Sequence, residues 1–328
     1  MRSIKLLLLP VLFAFTACAT QTIRVPVLVP APVSLVQYDL VAVDRFQGEG
    51  CDPFSDQLAE ALGSAVNPMT GKPGFEVLHR KDVDKALDQI RDRRGTDWDQ
   101  RTMAILDRWR QAKVVLKGTM QQHRVDERIV EEQSKDQHGK ICVQRKQVLT
   151  ANVAVLLEAT DVEGDRTFDA VTLTGQASTE CVLGPNSRRN ADPTPLLANA
   201  RAQVVQHYLE RVLPHQTWVA VDLYKDGDFP DLQVGNGYAE VGNWQSAADA
   251  YERAVQQMTG EQQKDRYKGL FNLGVAYEFT DRFADARRTL EEAYAIGQDQ
   301  RILNELRRTA AREDEVRRLR EQSAAPQR

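Results

Sequence analysis

Thiols are the side chains of this sequence with the most distinctive chemistry, and Cys18 sits where its thiol would be used. The chain opens Met1-Arg2-Ser3-Ile4-Lys5, runs mostly apolar from Leu6 to Phe15, and then reads Thr16-Ala17-Cys18. A basic start, a short apolar run and small residues before a cysteine form an export signal that ends in acylation of that cysteine. About ten apolar residues are too few to cross a hydrocarbon core, which takes roughly 20 as a helix. The expectation is cleavage of residues 1–17 and a thioether-linked lipid on Cys18. Each buried methylene contributes about 0.8 kcal/mol, and two or more chains anchor stably where one does not.

Three further cysteines remain, Cys51, Cys142 and Cys181, in a compartment that permits disulfides. Cys142 and Cys181 flank a hairpin turn at Asp161-Val162-Glu163-Gly164-Asp165 and are expected nearly opposite each other as a cross-strand disulfide. Cys51 is then the odd thiol. The five histidines have no metal-ligand spacing, and no nucleophile elbow, phosphate loop or paired-carboxylate site is visible. Asp226-Gly227-Asp228-Phe229-Pro230-Asp231 has the look of a calcium loop, but Pro230 occupies a ligand position. Neither an enzyme nor a cofactor or metal is expected.

Bulk properties narrow the function further. The 328 residues are 42% hydrophobic and 27% charged, enough for one or two cores. Net charge is −4, and −6 once Arg2 and Lys5 leave with the signal, so no basic footprint for nucleic acid is present.

The elements that would position these residues follow from periodicity. Residues 18–33 carry Pro26, Pro30 and Pro32 among β-branched residues and read as a lipidated, extended linker. Residues 34–222 alternate strands and helices. Tyr38–Val43 and Phe75–Leu78 are strands, while Leu58, Leu62 and Val66 mark one face of a helix, as do Val83, Leu87 and Ile90 of another. Segments 142–160 and 166–181 read as a long antiparallel hairpin. The fold class expected is α/β (α+β), a mixed sheet flanked by helices, followed by all-α helical hairpins.

The C-terminal part repeats itself. Gly235, Tyr238, Trp244, Ala247, Tyr251 and Ala254 recur at the same spacing as Gly274, Tyr277, Phe283, Ala286, Leu290 and Ala293, an offset of 39 residues. This pattern resembles the tetratricopeptide repeat (TPR), whose usual period is 34 residues. The resemblance implies two helix pairs in residues 223–322, closed by a solvated capping helix over about 301–320. Residues 323–328 read as a disordered tail. Asn236 and Asn272 lie on the first helices and are candidates to bond a partner's backbone.

Three pieces of the α/β region resemble the family of the curli-secretion lipoprotein CsgG, shared more loosely with the peptidoglycan-synthase activator lipoprotein LpoB. They are Leu40-Val41-Ala42-Val43 with Phe46 and Ser55-Asp56-Gln57-Leu58; Phe75 to Val83; and Ala112 to Thr119, where Lys113 departs from the family pattern. The resemblance implies a compact periplasmic domain engaged in envelope assembly. As in Gram-negative lipoproteins bound for the outer membrane, the residue after Cys18 is Ala19, not Asp. The expected location is the periplasmic face of the outer membrane, lipid-anchored.

Three roles remain open at this point: an adaptor that holds envelope proteins in assembly or secretion, a regulator (activator) of a peptidoglycan synthase or exporter, and a subunit of a secretion pore. The pore needs strands with one apolar face, and neither parity of residues 121–136 supplies it. Partner identity is not written in the sequence, and a homo-oligomer stays open.

Overall fold

In the computed structural model the described residues are 20–92, 100–135, 137, 141–183 and 192–324. In chain order the elements are β1 (Thr20–Val29), β2 (Leu40–Gln47), α1 (Cys51–Ser64), β3 (Val66–Asn67), β4 (Lys72–Pro73), β5 (Glu76–His79) and α2 (Arg80–Asp92). Next come α3 (Gln100–Gln111), β6 (Val114–Lys135), β7 (Ile141–Asp161), β8 (Arg166–Leu183), α4 (Thr194–Val212) and β9 (His215–Tyr224). The helical part holds α5 (Pro230–Glu240), α6 (Trp244–Gln257), a 3-10 segment (Gly260–Asp265), α7 (Arg266–Phe279), α8 (Phe283–Gly297) and α9 (Gln300–Ala324). The chain is α+β, and its described residues divide into two compact units, one within residues 28–215 and 318–324, the other within 20–27 and 216–317.

The α/β unit is built on a five-stranded sheet in the order β5-β2-β6-β7-β8. β2 pairs in parallel with β5 and β6, whereas β6, β7 and β8 run antiparallel as a meander. Period-two side chains explain the core: Val41 and Val43 of β2, Leu116 of β6, and Val153, Val155 and Leu157 of β7 are all buried. Against them pack Phe54, Leu58 and Leu62 of α1, four residues apart on one helical stripe, and Ala200, Val204 and Tyr208 of α4. Gly175 lets α4 approach β8, because a Cβ there would collide with the Ala200 carbonyl. Arg211 of α4 then clasps Asp169 of β8 with two bonds, at 2.5 and 2.9 Å.

β6 and β7 extend past this core. From Asp126 to Lys135 every residue of β6 is exposed. Opposite residues in an antiparallel pair, and their diagonal neighbours two positions on, share a face, so the opposite pair Glu131–Arg145 (3.4 Å) lies on one face and the diagonal pair Glu132–Lys146 (2.6 Å) on the other. Neither face of the ribbon is the unbroken apolar band that lipid contact needs.

The other unit begins with a correction. Thr20–Val29 is no free spacer: it pairs with β9 and buries Ile23, Val25 and Val27. Alternation outweighs proline here, because Pro26 takes an exposed position in a two-stranded sheet, where every strand is an edge. The helices α5–α6 and α7–α8 form two hairpins, and α9 is the cap. Its expected solvation holds for only part of its surface, since Ile302, Glu305, Thr309 and Val316 are buried.

Candidate functional site

The repeated spacing places equivalent side chains in equivalent contacts. A Cβ on Gly235 would strike the ring of Tyr251, and one on Gly274 would strike Leu290, so each glycine lets the second helix of its hairpin close on the first. Ala247, Ala254, Ala286 and Ala293 are fully buried, as are Tyr251 and Leu290. Trp244 stacks on Phe279 at 4.3 Å, and Phe283 is buried at the same position of the second hairpin. The two tyrosines differ: Tyr277 is 7% exposed and Tyr238 is 41%.

Asn236 and Asn272 are not available to a partner. Both are buried, and both donate to the carbonyl of Tyr224, at 3.1 and 3.0 Å. Asn272 Oδ1 also accepts from the Tyr224 amide at 2.8 Å, and Asn236 Oδ1 accepts from the Tyr251 hydroxyl at 2.8 Å. The backbone at the end of β9 thus takes the hydrogen bonds expected to go to a partner's backbone. Tyr224 continues the network, its hydroxyl donating to Asp299 at 2.6 Å. Arg301 holds the Asp299 carboxyl down to about 2, helped by that hydroxyl.

The aspartate loop before α5 serves packing. Asp226 accepts from Lys268 Nζ at 2.7 Å, and Pro230 is the first residue of α5, where a missing N–H does no harm. Among the described residues no group of His, Cys, Asp and Glu is arranged to hold a metal ion.

The cysteine expectation is also corrected. Strand register sets Cys181 opposite Gln147 and Cys142 opposite Ser134. Five residues along β7 correspond to roughly 17 Å, whereas a disulfide needs Cα atoms within about 7 Å. Cys181 is a free thiol, as is Cys51 at the start of α1. Burial and Asp52 push the Cys51 thiol up. Cys18 lies outside the described residues.

One site was not foreseen. The carboxyl ends of the parallel strands β2 and β5 open into a crevice of about 370 Å³, lined by Asp44, Arg45, Asp56, His79, Lys81 and Asp84 among others. Crevices at this end of parallel strands are the usual ligand position in α/β sheets. Most of its charges are paired: Arg45 and Arg80 both bond Asp84, at 2.7 and 3.0 Å, and Lys81 bonds Asp56 at 2.6 Å. Burial pushes the Asp84 carboxyl up, but the two arginines outweigh it and hold it below the usual range. His79 is held down by burial, with Nε2 3.7 Å from Asp56. The sequence signal was there, Asp44-Arg45 near the end of β2 and His79-Arg80-Lys81 where β5 passes into α2, but the pairing of β2 with β5 was needed to join them.

No family model matches the chain, and no curated protein matches it. Among solved structures, the PelC L103M dodecamer from Paraburkholderia phytofirmans is similar at 15% identity and a TM-score of 0.25, covering 60% of this chain and 100% of that one. Lipoprotein GNA1162 from Neisseria meningitidis is similar at 11% identity and a TM-score of 0.25, covering 52% and 96%. The hypothetical protein CT253 from Chlamydia trachomatis is similar at 9% identity and a TM-score of 0.24, covering 53% and 92%. Scores of this size assign neither fold nor role to the chain.

Proposed function

We propose that this chain is a non-enzymatic envelope lipoprotein. Acylated Cys18 anchors it to the periplasmic face of the outer membrane of a Gram-negative bacterium. Two TPR-type hairpins then hold a partner protein engaged in cell-envelope assembly or secretion. The observation that carries this reading is the repeat itself: two hairpins on one spacing, each closed by a glycine against the second helix. Repeats of this kind present broad surfaces instead of catalytic clefts. The short distance from Cys18 to β1 adds to it. Thr20 already belongs to the strand that pairs with β9 in the same compact unit as the hairpins, so a lipid on Cys18 would hold that unit at the membrane and raise its effective concentration near membrane partners.

A second reading, a regulator whose α/β unit touches a peptidoglycan synthase or exporter, is favoured by the charged crevice at β2 and β5. In both readings the α/β unit is of the CsgG/LpoB-like type, with its parallel β5-β2-β6 core in support. Crosslinkable residues placed in the full chain at Gln245 and Glu291 of the hairpins, or at Lys85 beside the crevice, separate the two. Envelope proteins trapped from the hairpins support the adaptor, and trapping only from Lys85 supports the regulator. Trapping from none of them contradicts both.

A further inference from the structure

The two hairpins share a spacing but finish differently. On α7, which α6 packs against, Leu273, Ala276 and Tyr277 are buried, at 6, 0 and 7% exposure. α6 and its C-cap supply three features of that cover. Val255 and Met258 sit so close over Gly269 that an added Cβ would lie 2.9 and 3.4 Å from them. The Glu252 carboxylate accepts a 2.6 Å bond from the Tyr277 hydroxyl.

Thirty-nine residues earlier the same positions are Val234, Gly237 and Tyr238 of α5. Here nothing covers them: Val234 is 46% and Tyr238 41% exposed, and Gly237 faces open space. Pro230, Gln233 and Val241 are exposed as well, and Val241 is the barest large apolar side chain among those described, at 77%. Positions 230, 233, 234, 237, 238 and 241 form one helical face by their spacing. It runs for roughly 16 Å at 1.5 Å per residue, and no charge lies on it.

We propose that this stripe of α5 is the docking site for an amphipathic helix of a partner protein, seated as α6 is seated on α7. The partner helix presents a carboxylate to the Tyr238 hydroxyl and aliphatic side chains three and six residues further on, the pattern of Glu252, Val255 and Met258. This rests on reading the hairpins as an interaction module and names the surface they use. The stack is already closed at its other end, where Ile302 is buried and Thr309 of α9 donates to Glu278 of α7 at 2.6 Å. A second copy is a poor occupant. The exposed residues of its cap include Arg307, Asp314 and Arg317, and burying those charges against an uncharged stripe would leave them unsolvated.

The probe is a fluorescent peptide copying Trp244–Met258, titrated by anisotropy into the purified full chain. Saturable binding is expected, weakened by about tenfold or more in Val234→Asp, where a charge enters the contact. Tyr238→Phe in the chain and Glu252→Ala in the peptide should each weaken binding by about two- to tenfold, and the double combination by little more than either, since both delete the same hydrogen bond. Melting curves check that the variants fold; the Tyr238 and Glu252 pair keeps the test decisive if Val234→Asp does not. No saturable binding, or binding indifferent to these changes, overturns the proposal. So does Val234-dependent binding to phosphatidylethanolamine/phosphatidylglycerol vesicles, or Val234-dependent self-association, in place of peptide binding. If the stripe binds the peptide while crosslinks in cells find no envelope protein, the adaptor role fails and the site stands.

Discussion

Asn272 and Tyr224 hold each other as two strands of a sheet would: the side-chain amide of Asn272 accepts from the Tyr224 N–H at 2.8 Å and donates to its carbonyl at 3.0 Å. Asn236 joins through the same carbonyl. A buried backbone end of β9 is thereby satisfied entirely by two side chains from the first helices of the hairpins.

Asn272→Ala should therefore be among the most damaging single changes in the helical unit. It leaves the buried Tyr224 N–H without a partner and takes one of two donors from the Tyr224 carbonyl, which keeps Asn236; a buried group left unsatisfied costs about 1–3 kcal/mol. A clear drop in the urea midpoint of the full chain is expected, and a comparable one for Asn236→Ala, which leaves the Tyr224 amide bonded but takes the acceptor from the buried Tyr251 hydroxyl. Equal midpoints for wild type and Asn272→Ala would remove the clamp from the stability of the unit.

Two glycines two residues apart on α5 should respond in opposite directions. Gly235→Ala drives a methyl into the buried Tyr251 ring and should destabilise by about 1–3 kcal/mol, as overpacking does. Gly237→Ala meets nothing within 4 Å and should stabilise by about 0.5–1 kcal/mol through helix propensity. Thermal melts of the pair decide it, and a shift of the same sign for both contradicts the packing.

Stability of the helical unit should carry a pH dependence centred on α9. Burial pushes the Glu305 carboxyl up to about 8; Arg308 opposes this, while Glu278 and Asp222 add to it. Because the folded value lies above the unfolded one, the folded chain holds the extra proton. The contribution is full below the ordinary value of 4.5, declines as pH rises through neutrality, and is gone above about 8. Glu305→Gln, which stays neutral, should match wild type near the acid end and exceed it in melting temperature at alkaline pH. A constant difference across that range would show that Glu305 does not hold the proton.

The thiol of Cys181 should be open to reagents. With Gln147 opposite and no disulfide, it should take up maleimide in the folded protein without prior reduction. A bridged Cys142–Cys181 peptide in a non-reducing digest would contradict the register.

Local pattern carried much of this fold. The alternation through Val41 and Val43 gave β2, and the four-residue spacing of Leu58 and Leu62 gave α1. The spacing shared by residues 235–254 and 274–293 gave the hairpins. Errors arose where the partner came from elsewhere in the chain. Three prolines in residues 18–33 argued for a spacer, and only the presence of β9 alongside rewards Ile23, Val25 and Val27 with burial. Hairpin symmetry placed Cys142 and Cys181 too near each other, because the register runs outward from Asp161 and Arg166 and reaches Gln147 at Cys181. The repeat spacing makes Asn236 and Asn272 look like outward recognition groups, since nothing in it announces that Tyr224 occupies them. The crevice stayed hidden for the same reason, as His79 and Arg45 meet only through strand pairing.

The central claim is a lipid on Cys18 holding an inert recruiting surface to the envelope, and the intact mass of the native protein tests it most directly. Purified from membranes, the mature chain should begin at Cys18 and carry the mass of a diacylglyceryl group with a further acyl chain, and globomycin should leave the uncut precursor. A mature chain that begins elsewhere, or that leaves the membrane with no added mass, contradicts it.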